Sequence, residues 1–121
     1  TPLLYAAKKG HEAIVKLLLA RDDIDVNSKS ASNWTPLLYA AGEGHEAVVK
    51  LLLTRDDINV NSKDYSGLTA LLCAAQEGRE AVVKLLLARD DIDVNSKDIN
   101  YRTPLLCAAQ KGHEAVVKLL L

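Results

Sequence analysis

The chain has 121 residues, a formal net charge of −1 and 49% hydrophobic residues. This length is enough for one domain with its own core, and the near-neutral charge gives no electrostatic basis for binding nucleic acid or an anionic membrane. No apolar run is long enough to cross a bilayer. No signal peptide is visible, and Thr1 without an initiator methionine suggests an excised fragment.

The chain repeats itself. The segment TPLLYAAKKGHEAIVKLLL begins at Thr1 and returns with few changes at Thr35, Thr69 and Thr103, which gives a period of 34 residues. A fixed period of this length predicts a solenoid, in which no single unit can bury its apolar face alone. The repeats within one domain are residues 1–34, 35–68, 69–102 and 103–121, and the last lacks the loop that ends the others.

Each repeat begins with a predicted helix of about two turns. Thr1 suits the N-cap, and Pro2 suits the first helical position, where its missing N–H costs nothing. Gly10 can adopt the left-handed conformation that commonly ends a helix. The small Ala6–Ala7 pair permits the close approach of a neighbouring helix.

A second helix is predicted from His11 to about Ala20. Its apolar residues occupy nearly the whole circumference, which predicts packing partners on several sides. Glu12 and Lys16 are spaced i, i+4 with the acid first, and the same pair recurs in every repeat. This spacing is typical of a solvated helix face.

A polar, turn-rich segment follows the second helix and predicts a projecting finger. Ile24 and Val26 alternate with polar residues, as in an extended strand. Near the tip, equivalent positions hold Asn33, Gly67 and Tyr101. Asn and Gly tolerate a positive φ, whereas Tyr does not easily. We therefore expect either a different turn or a strained one in the third finger.

The repeated residues resemble the ankyrin-repeat family over the whole chain. In repeat 2 the matching positions are Thr35, Pro36, Leu37, Ala40, Ala41, Gly44, His45, Val48, Val49, Leu51, Leu52, Leu53, Val60, Asn61, Asp64 and Gly67. The resemblance implies an all-α ankyrin-repeat solenoid of stacked helix-turn-helix pairs with projecting β-hairpin-like finger loops. Tetratricopeptide repeats share the period but need a W/LG/Y pattern that is absent here. More loosely, the TPLL and RDDIDVNSKD segments resemble the long ankyrin arrays of fungal proteins.

Side-chain variation between the repeats is concentrated in the finger tips and the first helices. The resemblance implies that these regions line a concave face where partners bind, and hence a non-enzymatic protein–protein interaction module without cofactors. We predict the following partner-binding residues: Trp34, Tyr65, Ser66, Leu68, Ile99, Asn100, Tyr101, Arg102, Tyr5, Lys8, Lys9, Tyr39, Glu43, Gln76, Glu77, Gln110 and Lys111.

The sequence is also compatible with other roles for the finger tips and for the chain as a whole. The large side chains at the tips could instead pack on the next finger, although aromatic residues and Arg are typical of interface hot spots. The chain could be a structural or regulatory spacer within a longer array of a multidomain signalling protein. It could also be an engineered, consensus-like array without a natural partner, which the near-identical copies favour. Ala70, Arg79 and Tyr101 break the consensus and favour a natural segment.

Metal chemistry has little support in the sequence. Asp23, Asp25 and Asn27 have the spacing of the first calcium ligands of an EF-hand, but Ser28 and Trp34 stand where Gly and Glu are required. The loop acids therefore predict Asx-type hydrogen bonds.

The three histidines give no metal site either. His11, His45 and His113 occupy equivalent positions in different layers, about 10 Å apart, and Arg79 fills the third slot. We predict capping or loop-bridging roles for them. Neither a nucleophile elbow nor a phosphate-binding glycine loop is present.

The cysteines and the chain ends give two last expectations. Cys73 and Cys107 lie one repeat apart, hence about 8–10 Å, too far for a disulfide. We expect free thiols and a reducing intracellular compartment, the cytoplasm or the nucleus. Because neither end carries a polar capping repeat, we also expect exposed apolar ends and end-to-end self-stacking.

Overall fold

The computed structural model describes residues 1–121 and contains eight helices and no strand. The helices are α1 Pro2–Lys9, α2 Glu12–Leu19, α3 Pro36–Glu43, α4 Glu46–Leu53, α5 Ala70–Gln76, α6 Glu80–Leu87, α7 Pro104–Lys111 and α8 Glu114–Leu120. We call the connecting segments 20–35, 54–69 and 88–103 fingers 1, 2 and 3. No helix has the length and apolar character that a bilayer crossing requires.

The helices form two layers. The first helices of the repeats pack in the order α1, α3, α5 and α7, and the second helices pack in the order α2, α4, α6 and α8. Each first helix also contacts the second helix of its own repeat. One continuous core of 22 buried side chains runs through all four repeats, which confirms the predicted all-α solenoid.

The helix starts follow from local hydrogen bonds. In every repeat the threonine Oγ1 accepts from the main-chain N–H three residues later, at 3.2–3.3 Å. This bond satisfies one of the N–H groups that a helix start leaves free. Pro2, Pro36 and Pro104 occupy the first helical position, where α5 has Ala70 instead.

The fingers are turns closed by backbone hydrogen bonds. In finger 2 the N–H of Asp64 donates to the carbonyl of Leu68 at 3.0 Å, and the N–H of Gly67 donates back to the carbonyl of Asp64 at 3.1 Å. Fingers 1 and 3 repeat both bonds at equivalent positions. Tyr101 has φ 62° and Asn33 has φ 66°. The third finger therefore makes the same turn as the others, and it does so with a tyrosine in the left-handed region.

Neighbouring repeats are tied by a regular set of side-chain bonds. Asn27 Nδ2 donates to the carbonyl of Asp57 at 2.8 Å, and Asn27 Oδ1 accepts from the N–H of Asn59 at 2.8 Å. Asn61 bonds to finger 3 in the same way. The predicted Asx bonds are also present, since Asp25 Oδ1 accepts from the N–H of Asn27 at 3.0 Å.

The predicted bridging role of the histidines is confirmed at two positions. His45 Nε2 donates to the carbonyl of Lys8 at 2.9 Å, and His113 Nε2 donates to the carbonyl of Gln76 at 2.9 Å. At the intervening position Arg79 Nε donates to the carbonyl of Gly42 at 3.1 Å. These residues occupy the N-cap positions of α4, α6 and α8, but their side chains make no capping hydrogen bond.

The outer face of the second helices carries the predicted ion pairs in three repeats. Lys50, Lys84 and Lys118 lie 3.4–3.6 Å from the glutamates four residues earlier. Glu12 and Lys16 of the first repeat do not form this pair. All three pairs are well exposed, so each contributes only a few tenths of a kcal/mol.

Candidate interaction surface

Finger tips and first helices lie side by side in the structure. We call their combined surface the variable face; it comprises the tip residues 30–34, 64–68 and 98–102 and the exposed positions of α1, α3, α5 and α7. The Trp34 ring lies 5.0 Å from the Tyr39 ring, measured between centroids and tilted by 45°. A Cβ placed on Gly42 would be 3.8 Å from Trp34 Cζ3. The tip of finger 1 therefore rests on α3.

Trp34 and Tyr39 belong to a cluster that joins repeats 1 and 2. Trp34 Nε1 donates to Asp64 Oδ2 in the next finger at 2.8 Å. The ammonium of Lys8 stands 5.6 Å from the centroid of the Tyr39 ring, within the range of a cation–π contact. Both rings remain partly exposed. Trp34 is therefore partly packed, as the packing interpretation of the tips expects, and the Trp34–Tyr39 pair leaves a partly open aromatic surface.

Four large side chains of the variable face project into solvent. The exposed fractions are 70% for Tyr5, 76% for Tyr65, 66% for Ile99 and 80% for Tyr101. Apart from Val94, the other exposed large hydrophobic side chains belong to the terminal helices and the last residue: Ile14, Leu17, Leu105, Leu106 and Leu121. In the middle of the stack, exposed apolar surface is thus concentrated at the tips of fingers 2 and 3.

Arg102 is held inside its own finger. Arg102 Nη2 lies 2.8 Å from Asp98 Oδ2, and Asp98 Oδ1 also accepts from the N–H groups of Asn100 and Arg102. Burial raises the pKa of Asp98, but these hydrogen bonds and the guanidinium outweigh burial and keep that pKa below its usual value. The network fixes the tip in one conformation.

Fingers 2 and 3 are also joined directly. The carbonyl of Ser66 accepts from the N–H of Ile99 at 3.0 Å. Leu68 is half-buried, whereas Ser66 and Asn100 are exposed. The two tips therefore present one continuous surface.

The first helices contribute the charged part of the variable face. Gln76 is half-buried, and the remaining predicted helix residues are exposed: Lys8, Lys9, Glu43, Glu77, Gln110 and Lys111. Successive repeats carry Lys9, Glu43, Glu77 and Lys111 at one equivalent position. The charge of the face therefore changes from basic at repeat 1 to acidic at repeats 2 and 3 and back to basic at repeat 4.

Clefts separate neighbouring repeats on this face. Between repeats 2 and 3 a cleft of about 340 Å³ is lined by Trp34, Gly42, Glu43, Leu68, Cys73, Gln76, Glu77 and Arg79. Between repeats 1 and 2 a cleft of about 380 Å³ is lined by residues that include Tyr5, Lys8, Lys29 and Tyr39.

The cleft between repeats 2 and 3 is lined in part by the buried thiol of Cys73. Burial raises the pKa of Cys73 to about 12, with further contributions from Asp64 and Glu77. At neutral pH the thiol is therefore protonated, and it acts as a small apolar group. Cys107 is also buried, and neither cysteine is bonded to another.

No cluster of three or more His, Cys, Asp or Glu side chains is arranged to hold a metal ion. The acidic finger residues are engaged elsewhere. Arg55 binds Asp57 through two nitrogens at 3.1 Å and donates from Nη1 to the carbonyl of Leu19 at 2.8 Å. Arg89 repeats this arrangement in finger 3 with Asp91 and Leu53.

Sequence reasoning did not identify this arginine as a link between repeats. The signal was present, because the R-D-D motif recurs after α2, α4 and α6. Recurrence alone did not show that the guanidinium reaches the preceding repeat.

A sequence profile described as ankyrin repeats in three copies matches residues 1–64 and 57–121. The chain belongs to the ankyrin-repeat family. Ankyrin repeats are generally protein-interaction modules and are typically non-enzymatic. No curated protein sequence matches the chain at a significant level.

Proposed function

We propose that these ankyrin repeats bind a protein partner through the variable face, on the concave side of the solenoid. The observation that supports this most directly is the coincidence of variation and exposure. The helix cores scarcely change between repeats, while Tyr65, Ile99 and Tyr101 differ from their equivalents and are exposed. Large apolar side chains in water at adjacent tips are typical of an interaction surface.

The scaffold suits such a role because it is rigid where it would contact a partner. The tips are fixed by backbone turns and by the Trp34–Asp64 and Asp98–Arg102 bonds. A surface that is ordered before binding loses little conformational entropy on association. This module is non-enzymatic, and it needs no cofactor or metal for binding.

The test is affinity capture from lysate with the wild-type chain and two variants. The first variant carries Tyr65→Ser, Ile99→Ser and Tyr101→Asn, where Asn is the residue of the equivalent position 33. The control carries Lys50→Ser, which changes an exposed side chain on the outer face of α4. Circular dichroism and Trp34 fluorescence check that both variants fold.

We expect a partner that the wild type and Lys50→Ser retain and that the triple variant loses. A partner captured equally by all three proteins would show that the tips do not take part in binding. Absence of any captured protein would favour the spacer or the engineered array over a binding module.

We infer self-association through the terminal surfaces as a second activity of these residues. Gly10, Gly44 and Gly78 are covered by His45, Arg79 and His113 of the next repeat, but a Cβ on Gly112 would meet nothing within 4 Å. At the other end His11 and Ile14 are exposed, whereas Val48, Val82 and Val116 at the position of Ile14 are buried. The two ends are therefore complementary.

Sedimentation velocity over a concentration series tests this inference. We expect larger species to form as concentration rises. Leu17→Lys or Leu106→Glu, at opposite ends, should each prevent them, because a charge would be buried without a partner. Glu12→Lys serves as the control for a change of charge on an exposed surface. A strict monomer at every concentration would exclude self-stacking.

A further inference from the structure

One boundary between repeats differs from the other two in charge. Along the stack Lys9 is followed by Glu43 and Glu77 is followed by Lys111, so the outer boundaries pair opposite charges at equivalent positions. Between repeats 2 and 3, two carboxylates follow one another instead. Neither Glu43 nor Glu77 forms an ion pair within the chain, and both are exposed.

The same boundary also lacks one side chain that the equivalent positions of the other repeats carry. Gly42 stands where the other repeats have Lys8, Gln76 and Gln110. A Cβ there would lie 3.8 Å from Trp34 Cζ3 and 3.8 Å from Cys73 Cβ, which is ordinary van der Waals contact. Gly42 is inside α3 and does not have a positive φ. The backbone does not require this glycine, and Gly42 leaves one wall of the cleft of about 340 Å³ without a side chain.

The cleft combines apolar and acidic lining residues. Trp34, Leu68 and the protonated thiol of Cys73 supply the apolar surface. Glu43 and Glu77 are exposed residues of the lining, and Asp64 accepts the indole N–H at the edge of the Trp34 ring.

The one cation among the lining residues is Arg79, which already donates to the carbonyl of Gly42 at 3.1 Å. Burial is the main cause of the raised pKa of Cys73, and the nearby charges of Asp64 and Glu77 add to it.

We propose that this cleft receives one basic side chain, a lysine or an arginine, of the protein partner. Its methylene groups would lie against Trp34 and Leu68, and its charged head would lie between Glu43 and Glu77. An apolar side chain would leave both carboxylates unpaired, and an acidic one would be repelled. This inference rests on the proposed function and specifies the chemistry that the partner presents at one place.

Titration with minimal probes, followed by nuclear magnetic resonance, tests the proposal without knowledge of the partner. The probes are the Nα-acetyl methylamides of lysine, arginine and norleucine; norleucine retains the aliphatic chain but has no charge. The chain contains one tryptophan, so the indole N–H of Trp34 gives a single reporter signal. We expect saturable shifts with the two basic probes and at least about tenfold weaker binding of norleucine, since a charge-assisted bond is lost.

Two variants and a control locate the binding. Gly42→Gln fills the cleft with the residue that the chain itself has at positions 76 and 110, and it raises helix propensity. Glu43→Lys makes this boundary resemble the outer ones. Both should abolish the shifts caused by the basic probes. Glu12→Lys changes the net charge equally on α2, outside the cleft, and should leave them intact.

The outcomes separate this inference from the proposed function. Equal binding of norleucine, or no saturable shift with either basic probe, overturns the recognition of a basic side chain. If lysate capture still depends on Tyr65, Ile99 and Tyr101 in that case, the binding module stands without this subsite. Saturable binding that Glu12→Lys also abolishes would reflect general electrostatic attraction and would equally overturn the proposal.

Discussion

The surroundings of Leu71 and Leu105 show how far neighbours determine the role of a residue. The helices around them read ALLCAAQ in α5 and PLLCAAQK in α7. Nevertheless Leu71 is 0% exposed, and Leu105 is 36% exposed. The difference arises because α7 packs against α5, while no further first helix packs against α7. In this solenoid, burial is a property of the boundary between repeats more than of the sequence of one repeat.

The fingers differ from the helices in the opposite way, because different residues adopt the same backbone conformation there. Asn33, Gly67 and Tyr101 all have φ between 62° and 77°, although only the first two residue types tolerate that region well. Finger 3 compensates with the Asp98–Arg102 pair, where finger 2 has Asp64 and Leu68. Tertiary and local hydrogen bonds thus impose a turn that residue 101 alone disfavours.

The largest expected effect is the loss of stability when an inner leucine, compared with a terminal one, is replaced by alanine. Leu71→Ala should lower the free energy of unfolding by about 3 kcal/mol, because it leaves a cavity in a fully buried site. Leu105→Ala should cost only about 1 kcal/mol, since its site is partly open to water. Urea unfolding followed by circular dichroism measures both. Equal losses would contradict the view that neighbouring repeats determine burial.

Two glycine substitutions, one at an inner repeat and one at the last repeat, also test whether neighbouring repeats determine the cost of a change. Gly78 and Gly112 have φ of 69° and 75°, so alanine at either should cost about 1–2 kcal/mol for the left-handed conformation. At Gly78 the new Cβ would also lie 2.6 Å from Nδ1 of His113. We therefore expect Gly78→Ala to destabilise the chain by at least about 1 kcal/mol more than Gly112→Ala does. Thermal unfolding of both variants would reveal the difference, and Gly78→Ala/His113→Ala should reduce it.

The sequence predicted the helices and the fingers well because their signals are local. A threonine cap, a proline at the first helical position and a terminal glycine lie within ten residues of one another in α1. Most of these helix signals recur in every repeat, and the agreement between repeats strengthens the prediction. The strained turn of finger 3 was one of two predictions for that finger, since Tyr101 disfavours the positive φ that the other two fingers adopt.

The candidate site was less predictable because its contacts cross between repeats. Trp34 Nε1 reaches Asp64 at the start of the next tip, and the ammonium of Lys8 reaches the ring of Tyr39. No local pattern predicts such pairs. The cleft beside Gly42 was missed for a related reason. A glycine inside a helix gives no positive signal of its own, and its effect depends on Trp34 and Cys73 on either side.

The Asp98–Arg102 pair provides a prediction with a defined pH dependence. Asp98→Asn keeps an oxygen for the N–H groups of Asn100 and Arg102 but loses the charge that the guanidinium contacts. We expect the melting temperature to fall by a few degrees at pH 7. Because the pKa of Asp98 is lowered in the folded state, the advantage of the wild type should be complete above the unfolded pKa of about 3.9. It should disappear as the pH falls through the folded-state pKa. A difference that is constant from pH 7 to below pH 3 would exclude the ion pair as its cause.

The smallest expected effect is a gain in stability at the tip of finger 3. Tyr101 is 80% exposed and makes no side-chain hydrogen bond that would compensate for its positive φ. Tyr101→Asn restores the residue of the equivalent position in finger 1 and should stabilise the chain by about 1 kcal/mol. The reverse change, Asn33→Tyr, should destabilise it by more, because Asn33 Nδ2 also donates to the carbonyl of Lys63 at 3.1 Å. If Tyr101→Asn gains stability but weakens partner binding, the strained tyrosine is retained for its exposed ring. If it gains stability without any loss of binding, the interaction depends on Tyr65 and Ile99, and Tyr101 contributes neither to the fold nor to recognition.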